Sequence, residues 1–126
     1  MEFLNATGSA IVDAAYQVHN RLGPGLLESI YEDCLAYDLE SRGLPVQRQV
    51  TMPVAYRDIQ LEGGYRMDLV VAGAVIVEVK AVETVQPVHR AQLLTYLKLS
   101  RHTLGYLINV NVPIIKSGIH RLRQGF

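Results

Sequence analysis

The chain has 126 residues, of which 49% are apolar, and its 12 Lys and Arg balance 12 Asp and Glu at a formal net charge of zero. That length suits one domain with a shared core, expected here over residues 1–126, and no uncharged apolar stretch approaches the roughly 18 residues that a membrane helix needs. Met1 to Thr7 lacks the basic and apolar regions of a secretory leader and Cys34 is the only cysteine, so a soluble, cytoplasmic chain with no disulfide and no Cys-based zinc cage is expected.

Asn5 and Thr7 read as caps of a first helix in which Ile11, Ala14, Ala15, Val18 and Leu22 recur at helical spacing before Gly23-Pro24-Gly25. A second helix is expected from about Leu26 to Arg42, stopped by Gly43 and Pro45. Val46 to Val54 reads as extended structure interrupted by Pro53, and Tyr56 to Gly64 as polar enough to contain a turn. Tyr65–Val71 and Val75–Lys80 form a predicted hairpin across Ala72-Gly73-Ala74. A third helix over about Val88–Ser100, an apolar strand over Thr103–Val110 and a short edge strand or arm over Gly118–Arg123 complete the chain. Helices before and after a run of strands predict a sheet covered by helices, in the α/β or α+β class.

Charge gathers on the hairpin. Strand alternation groups Met67, Leu69 and Val71 on one face and Arg66, Asp68 and Val70 on the other. In the next strand Val75, Val77 and Val79 form an apolar face, leaving Ile76, Glu78 and Lys80 opposite. A three-residue loop pairs Val71 with Val75, which sets Asp68 across from Glu78 and Arg66 across from Lys80. Opposed carboxylates repel, and a divalent cation would compensate them; the same residues also suit a solvated face with Arg66 and Lys80 as partners.

On the second helix Leu27, Ile30, Tyr31, Cys34, Leu35 and Leu39 share a broad arc, with Glu28 projecting between Leu35 and Leu39 while Glu32, Asp33 and Glu40 point to solvent. An inward Glu28 needs a metal, a partner such as Arg48 or Arg66, or an escape at the helix end. On the third helix His89, Gln92 and Tyr96 share a face that could contact a substrate phosphate or form a helix edge. His19, His102 and His120 have no companion at ligand spacing, and the glycines do not form a phosphate-binding loop. All acids lie at or before Glu83, whereas Thr84–Phe126 carries six Lys or Arg and three His. That asymmetry fits either a surface for a polyanion or two segments that neutralise each other in the fold.

The segments Gly25-Leu26-Leu27-Glu28-Ser29-Ile30-Tyr31, Asp68, Glu78-Val79-Lys80 and His89-Arg90-Ala91-Gln92-Leu93-Leu94-Thr95-Tyr96-Leu97 resemble, in this order, the GxxExxY family of the PD-(D/E)xK nuclease superfamily. The resemblance spans nearly the whole chain. It implies a restriction-endonuclease-like mixed sheet flanked by helices, with Asp68 and Glu78 as metal ligands, Lys80 as the catalytic lysine and Glu28 as the acid of the early helix. Gln92 and Tyr96, with His89 before them, match the motif on the later helix. Met67 stands where the superfamily name has proline, and Asn109-Val110-Asn111 departs from the expected aromatic and glycine.

The expected activity is hydrolysis of a phosphodiester bond in DNA or RNA. Asp68 and Glu78, joined by Glu28 and the Val79 carbonyl, would hold Mg²⁺ or Mn²⁺, and Gln92, Tyr96 and His89 would contact substrate. The alternatives are a non-catalytic nucleic-acid-binding or assembly module using Arg90, Arg101, Arg121 and Arg123, and a homodimer or subunit whose partner completes the groove.

Overall fold

A computed structural model describes residues 2–125; Met1 and Phe126, the ends of the expected domain, lie outside the described residues. Helix α1 (Glu2–Leu22) buries Ile11, Ala14, Ala15 and Val18 at the predicted spacing. It starts earlier than expected, because nothing between Glu2 and Thr7 breaks a helix and Leu4 packs on the core. Asn5 and Thr7 are therefore interior residues rather than caps: Thr7 is buried, and Asn5 Oδ1 accepts a bond from Arg121 Nη2 at 3.2 Å. Gly23, at φ +70°, turns the chain out of the helix.

Helix α2 (Glu28–Ser41) follows, since Leu27 is still extended, and ends where Gly43 takes up a φ of +85°. Strands β1 (Val46–Tyr56) and β2 (Ile59–Val71) form an antiparallel hairpin turned at Arg57 and Asp58, so β2 begins well before the expected Tyr65. Pro53 sits where the register shifts between Met52↔Tyr65 and Val54↔Leu61; it is tolerated because β1 is an edge strand. Strand β3 (Val75–Lys80) pairs antiparallel with β2, α3 (Pro87–Ser100) crosses over, and β4 (Leu104–Asn109) returns parallel to β3. Strand β5 (Ile119–Arg123) closes the far edge antiparallel to β4. The result is a five-stranded mixed sheet in the order β1-β2-β3-β4-β5, an α+β fold with helices on both faces.

On one face α1 and α2 pack against Leu69, Val71, Val75, Val77, Val79, Tyr106 and Ile108. On the other, Leu93, Tyr96 and Leu97 of α3 pack with Val70, Ile76, Leu107 and Leu122. The parallel pair β3 and β4 is buried on both sides, which is why each reads as a nearly unbroken apolar run. Glu78 interrupts that run at 3% exposure, a placement that costs free energy unless something compensates it.

One expectation about faces is corrected. Met67 packs with Val50 and Met52 toward α3, whereas Leu69 and Val71, two and four residues on, pack toward α1 and α2. In β1, likewise, Val46 packs toward α1 and α2 while Val50 packs toward α3. Strict alternation would keep each set on one face. Both strands therefore change face between these residues, at Gln49 in β1 and Asp68 in β2; Gln49 has a φ of +51°.

Candidate active site

The β2–β3 ladder runs from Val71↔Val75 through Val70↔Ile76 to Leu69↔Val77 and ends there. Asp68 and Glu78 come next, in the register that a three-residue loop predicts. A backbone N–H freed from a ladder still needs an acceptor. Here the two carboxylates supply it crosswise: Asp68 N donates to Glu78 Oε2 at 2.7 Å, and Val79 N donates to Asp68 Oδ2 at 2.9 Å. Arg66 does not face Lys80 as expected, because it lies beyond the end of this ladder and pairs with Thr51 of β1.

The two acids share one low-dielectric opening. Burial, and then the Asp68 charge, push the Glu78 carboxyl up from 4.5 to about 8, against the opposing pull of the Asp68 amide and the Lys80 ammonium. Asp68 is also raised, chiefly by burial, with Glu32 and Glu28 adding to the effect and the Val79 amide and Lys80 opposing it. Without a cation the pair favours holding a proton. With one, the second oxygens, Asp68 Oδ1 and Glu78 Oε1, are hard donors of the kind Mg²⁺ or Mn²⁺ takes. Among the described residues no group of three or more His, Cys, Asp or Glu forms a ready-made metal cage. The donors therefore fit a cation completed by a backbone carbonyl, such as that of Val79, and by water and substrate oxygens.

Glu28 begins α2 and is exposed rather than inward, as the first residue of a helix can be. Its Oε2 accepts a bond from Ala81 N at 2.9 Å, directly after Lys80. Lys80 is half-buried and pairs in register with Asn109 of β4. Asn109, the residue at odds with the expected motif, is buried and brackets the same segment: Val82 N donates to its Oδ1 at 3.1 Å, and its Nδ2 donates to the Val82 carbonyl at 2.9 Å. The backbone leaving Lys80 is thus held by Glu28 on one side and Asn109 on the other.

Helix α3 brings up the third group. Its buried Tyr96 meets Tyr65 of β2 edge-on, ring centres 5.4 Å apart. Burial, reinforced by Glu78 and Asp68, pushes the phenol up to about 12, so Tyr96 keeps its proton. One turn earlier Gln92 lines a groove of about 490 Å³ with Tyr65, Val88, His89 and Thr95. His89 spends Nδ1 on the start of the helix, accepting from Gln86 N at 2.9 Å, which leaves Nε2 for the groove. The remaining histidines bond elsewhere: His19 meets Tyr31, His102 meets Ser100 and the Gly73 carbonyl, and His120 meets Arg90.

Glu32 was expected to point to solvent and is instead buried. It is 6% exposed, receives Gln49 Nε2 on both oxygens at 2.8 and 3.0 Å, and has Arg48 Nε at 3.5 Å. Arg48 also bridges to Asp33, so the arginine considered for Glu28 serves Glu32 and Asp33 instead. The error lay in counting Leu27 and Ile30 as core. They are 72% and 41% exposed, and the buried stripe is Tyr31, Glu32, Leu35, Ala36 and Leu39. Ala36, left out of the arc, was the available signal, because Glu32 lies one turn before it and about 20° round the helix from Leu39.

A family model described as the PD-(D/E)XK nuclease superfamily matches residues 5–122, a span that includes Glu28, Asp68, Glu78, Lys80, Gln92 and Tyr96. The chain matches no curated protein and no solved structure.

Proposed function

The chain belongs to the PD-(D/E)XK nuclease superfamily, and from that premise we propose that residues 1–126 form one metal-dependent nuclease domain of the GxxExxY type. It hydrolyses phosphodiester bonds in nucleic acid, in the cytoplasm. The observation that carries this reading is the crosswise pair: Asp68 and Glu78 each bond the other strand's backbone through one oxygen. A divalent cation bound to their other oxygens would polarise the phosphoryl group and lower the pKa of a water molecule. Lys80 orients the attacking water and stabilises the charge that develops on phosphorus-bound oxygen. Glu28 and Asn109 hold the strand end that carries Lys80. Tyr96, protonated across the working pH range, donates to a phosphate oxygen, while Gln92 and His89 line the groove through which the adjoining nucleotide backbone runs.

Cleavage of mixed DNA and RNA with Mg²⁺ or Mn²⁺ tests the reading. Wild type should cut in a metal-dependent manner, and Asp68→Ala and Glu78→Ala should each lose cleavage while remaining folded. Undiminished cleavage by either variant would rule the mechanism out.

A further inference from the structure

We propose that Gln49 and Glu32 are positioning residues for Asp68: the clamp between them holds the point at which β1 and β2 change face, and so turns the Asp68 carboxylate toward β3. The inference rests on the nuclease reading for its consequence, although not for its geometry. Within the β1–β2 ladder, Arg48 pairs with Leu69 and Val50 with Met67, so Gln49 and Asp68 occupy the intervening position, where no pair is made. Residues of like parity pack on opposite faces on either side of that position, as Val46 and Val50 do in β1 and Leu69 and Met67 do in β2.

A left-handed φ of +51° is unfavourable for glutamine and persists only where the surroundings enforce it. The enforcement is visible. Gln49 Nε2 donates to both carboxylate oxygens of Glu32, and Arg48, the preceding residue, reaches the same acid. Glu32 is anchored in the buried stripe of α2 between Tyr31 and Leu35, so the clamp ties the strand break to a fixed helix. Freed from pairing with β1, Asp68 receives the Val79 amide across the β2–β3 opening. A buried acid that served only to fill the core would be better replaced by an apolar side chain. Glu32 instead holds Gln49, which sits opposite Asp68 at the unpaired position of the β1–β2 ladder.

The experiment compares Gln49→Gly, which permits the left-handed backbone without enforcing it and removes the amide, with Glu32→Ala, which removes the acceptor, and Glu32→Gln, which keeps an acceptor oxygen. Leu97→Ala serves as a core variant of lowered stability. Two quantities are read: amide exchange at Val79 in metal-free protein, and Mn²⁺ affinity by calorimetry. Gln49→Gly and Glu32→Ala should speed Val79 exchange by about tenfold or more relative to neighbouring β3 amides and weaken Mn²⁺ binding by about 10- to 100-fold. Glu32→Gln, which keeps the acceptor, should leave Val79 exchange close to wild type, and Leu97→Ala should lower the thermal midpoint without a selective change at Val79. Wild-type Val79 exchange in Gln49→Gly and Glu32→Ala, whatever their melting temperatures, would overturn the proposal. Should wild type bind no Mn²⁺, the nuclease reading would fail, and the Val79 exchange would still decide the positioning role.

Discussion

Asp68 and Glu78 each complete the other's strand: the amide of Asp68 donates to Glu78 Oε2 at 2.7 Å, while Asp68 Oδ2 accepts from the residue after Glu78 at 2.9 Å. The exchange replaces the next rung of the β2–β3 ladder with side chains. It brings two carboxylates into an opening that α2 borders with Glu28 and Glu32 and α3 borders with Tyr96. Mutual repulsion and burial are what make the pair suited to a cation, and they also make the cation-free protein sensitive to pH.

That sensitivity has a definite sign. Glu78 titrates at about 8 in the folded protein against an ordinary value of 4.5, so the native state binds more protons than the unfolded chain between these values. The contribution of the protonated group to stability is fully present below pH 4.5 and is lost as pH rises through about 8. Urea denaturation in chelator should therefore find stability falling over that window by on the order of a few kcal/mol, a trend that Glu78→Gln should flatten. Stability rising with pH across the same window in wild type would contradict the arrangement.

Glu28 accepts a bond from the Ala81 amide, one that a glutamine oxygen can also accept. Glu28→Gln should retain cleavage within about threefold, whereas Glu28→Ala, which frees the backbone after Lys80, should lose about tenfold or more. Steady-state rates on one substrate measure both. Equal losses in the two variants would show that the charge of Glu28, rather than its bond, is what the reaction uses.

Tyr31, the tyrosine of the early motif, donates no bond to the site. It is 3% exposed and its hydroxyl meets His19 Nδ1 at 3.1 Å, while His19 Nε2 is buried without a partner. Tyr31→Phe would leave both histidine nitrogens unpaired and should cost about 1–3 kcal/mol by denaturant unfolding, with metal-dependent cleavage preserved at temperatures where the variant is folded. Loss of cleavage without loss of stability would move Tyr31 into the site.

Much of this was legible in the residues. The loop Ala72-Gly73-Ala74 fixed the hairpin register, and with it the meeting of Asp68 and Glu78, because side chains on a strand have a period of two and a short loop leaves one pairing. The spacing of His89, Gln92 and Tyr96 placed them on one helical face, as the groove and the Tyr65 contact confirm. What escaped was tertiary. The change of face at Gln49 and Asp68 depends on a clamp from a helix distant in sequence, and alternation within a single strand carries no sign of it. Glu32 was hidden because charge outweighed position in the reading of α2, and Asn109 read as a departure although its amide brackets Val82 from both sides.

The central claim, a cation site built from Asp68 and Glu78, is tested most directly by calorimetric titration of Mn²⁺ into the wild-type protein and into Asp68→Asn. Saturable binding with proton release in wild type, lost in the variant, is the predicted result. No binding in wild type, or equal binding in Asp68→Asn, would contradict it; the first outcome would point instead to a non-catalytic nucleic-acid-binding module.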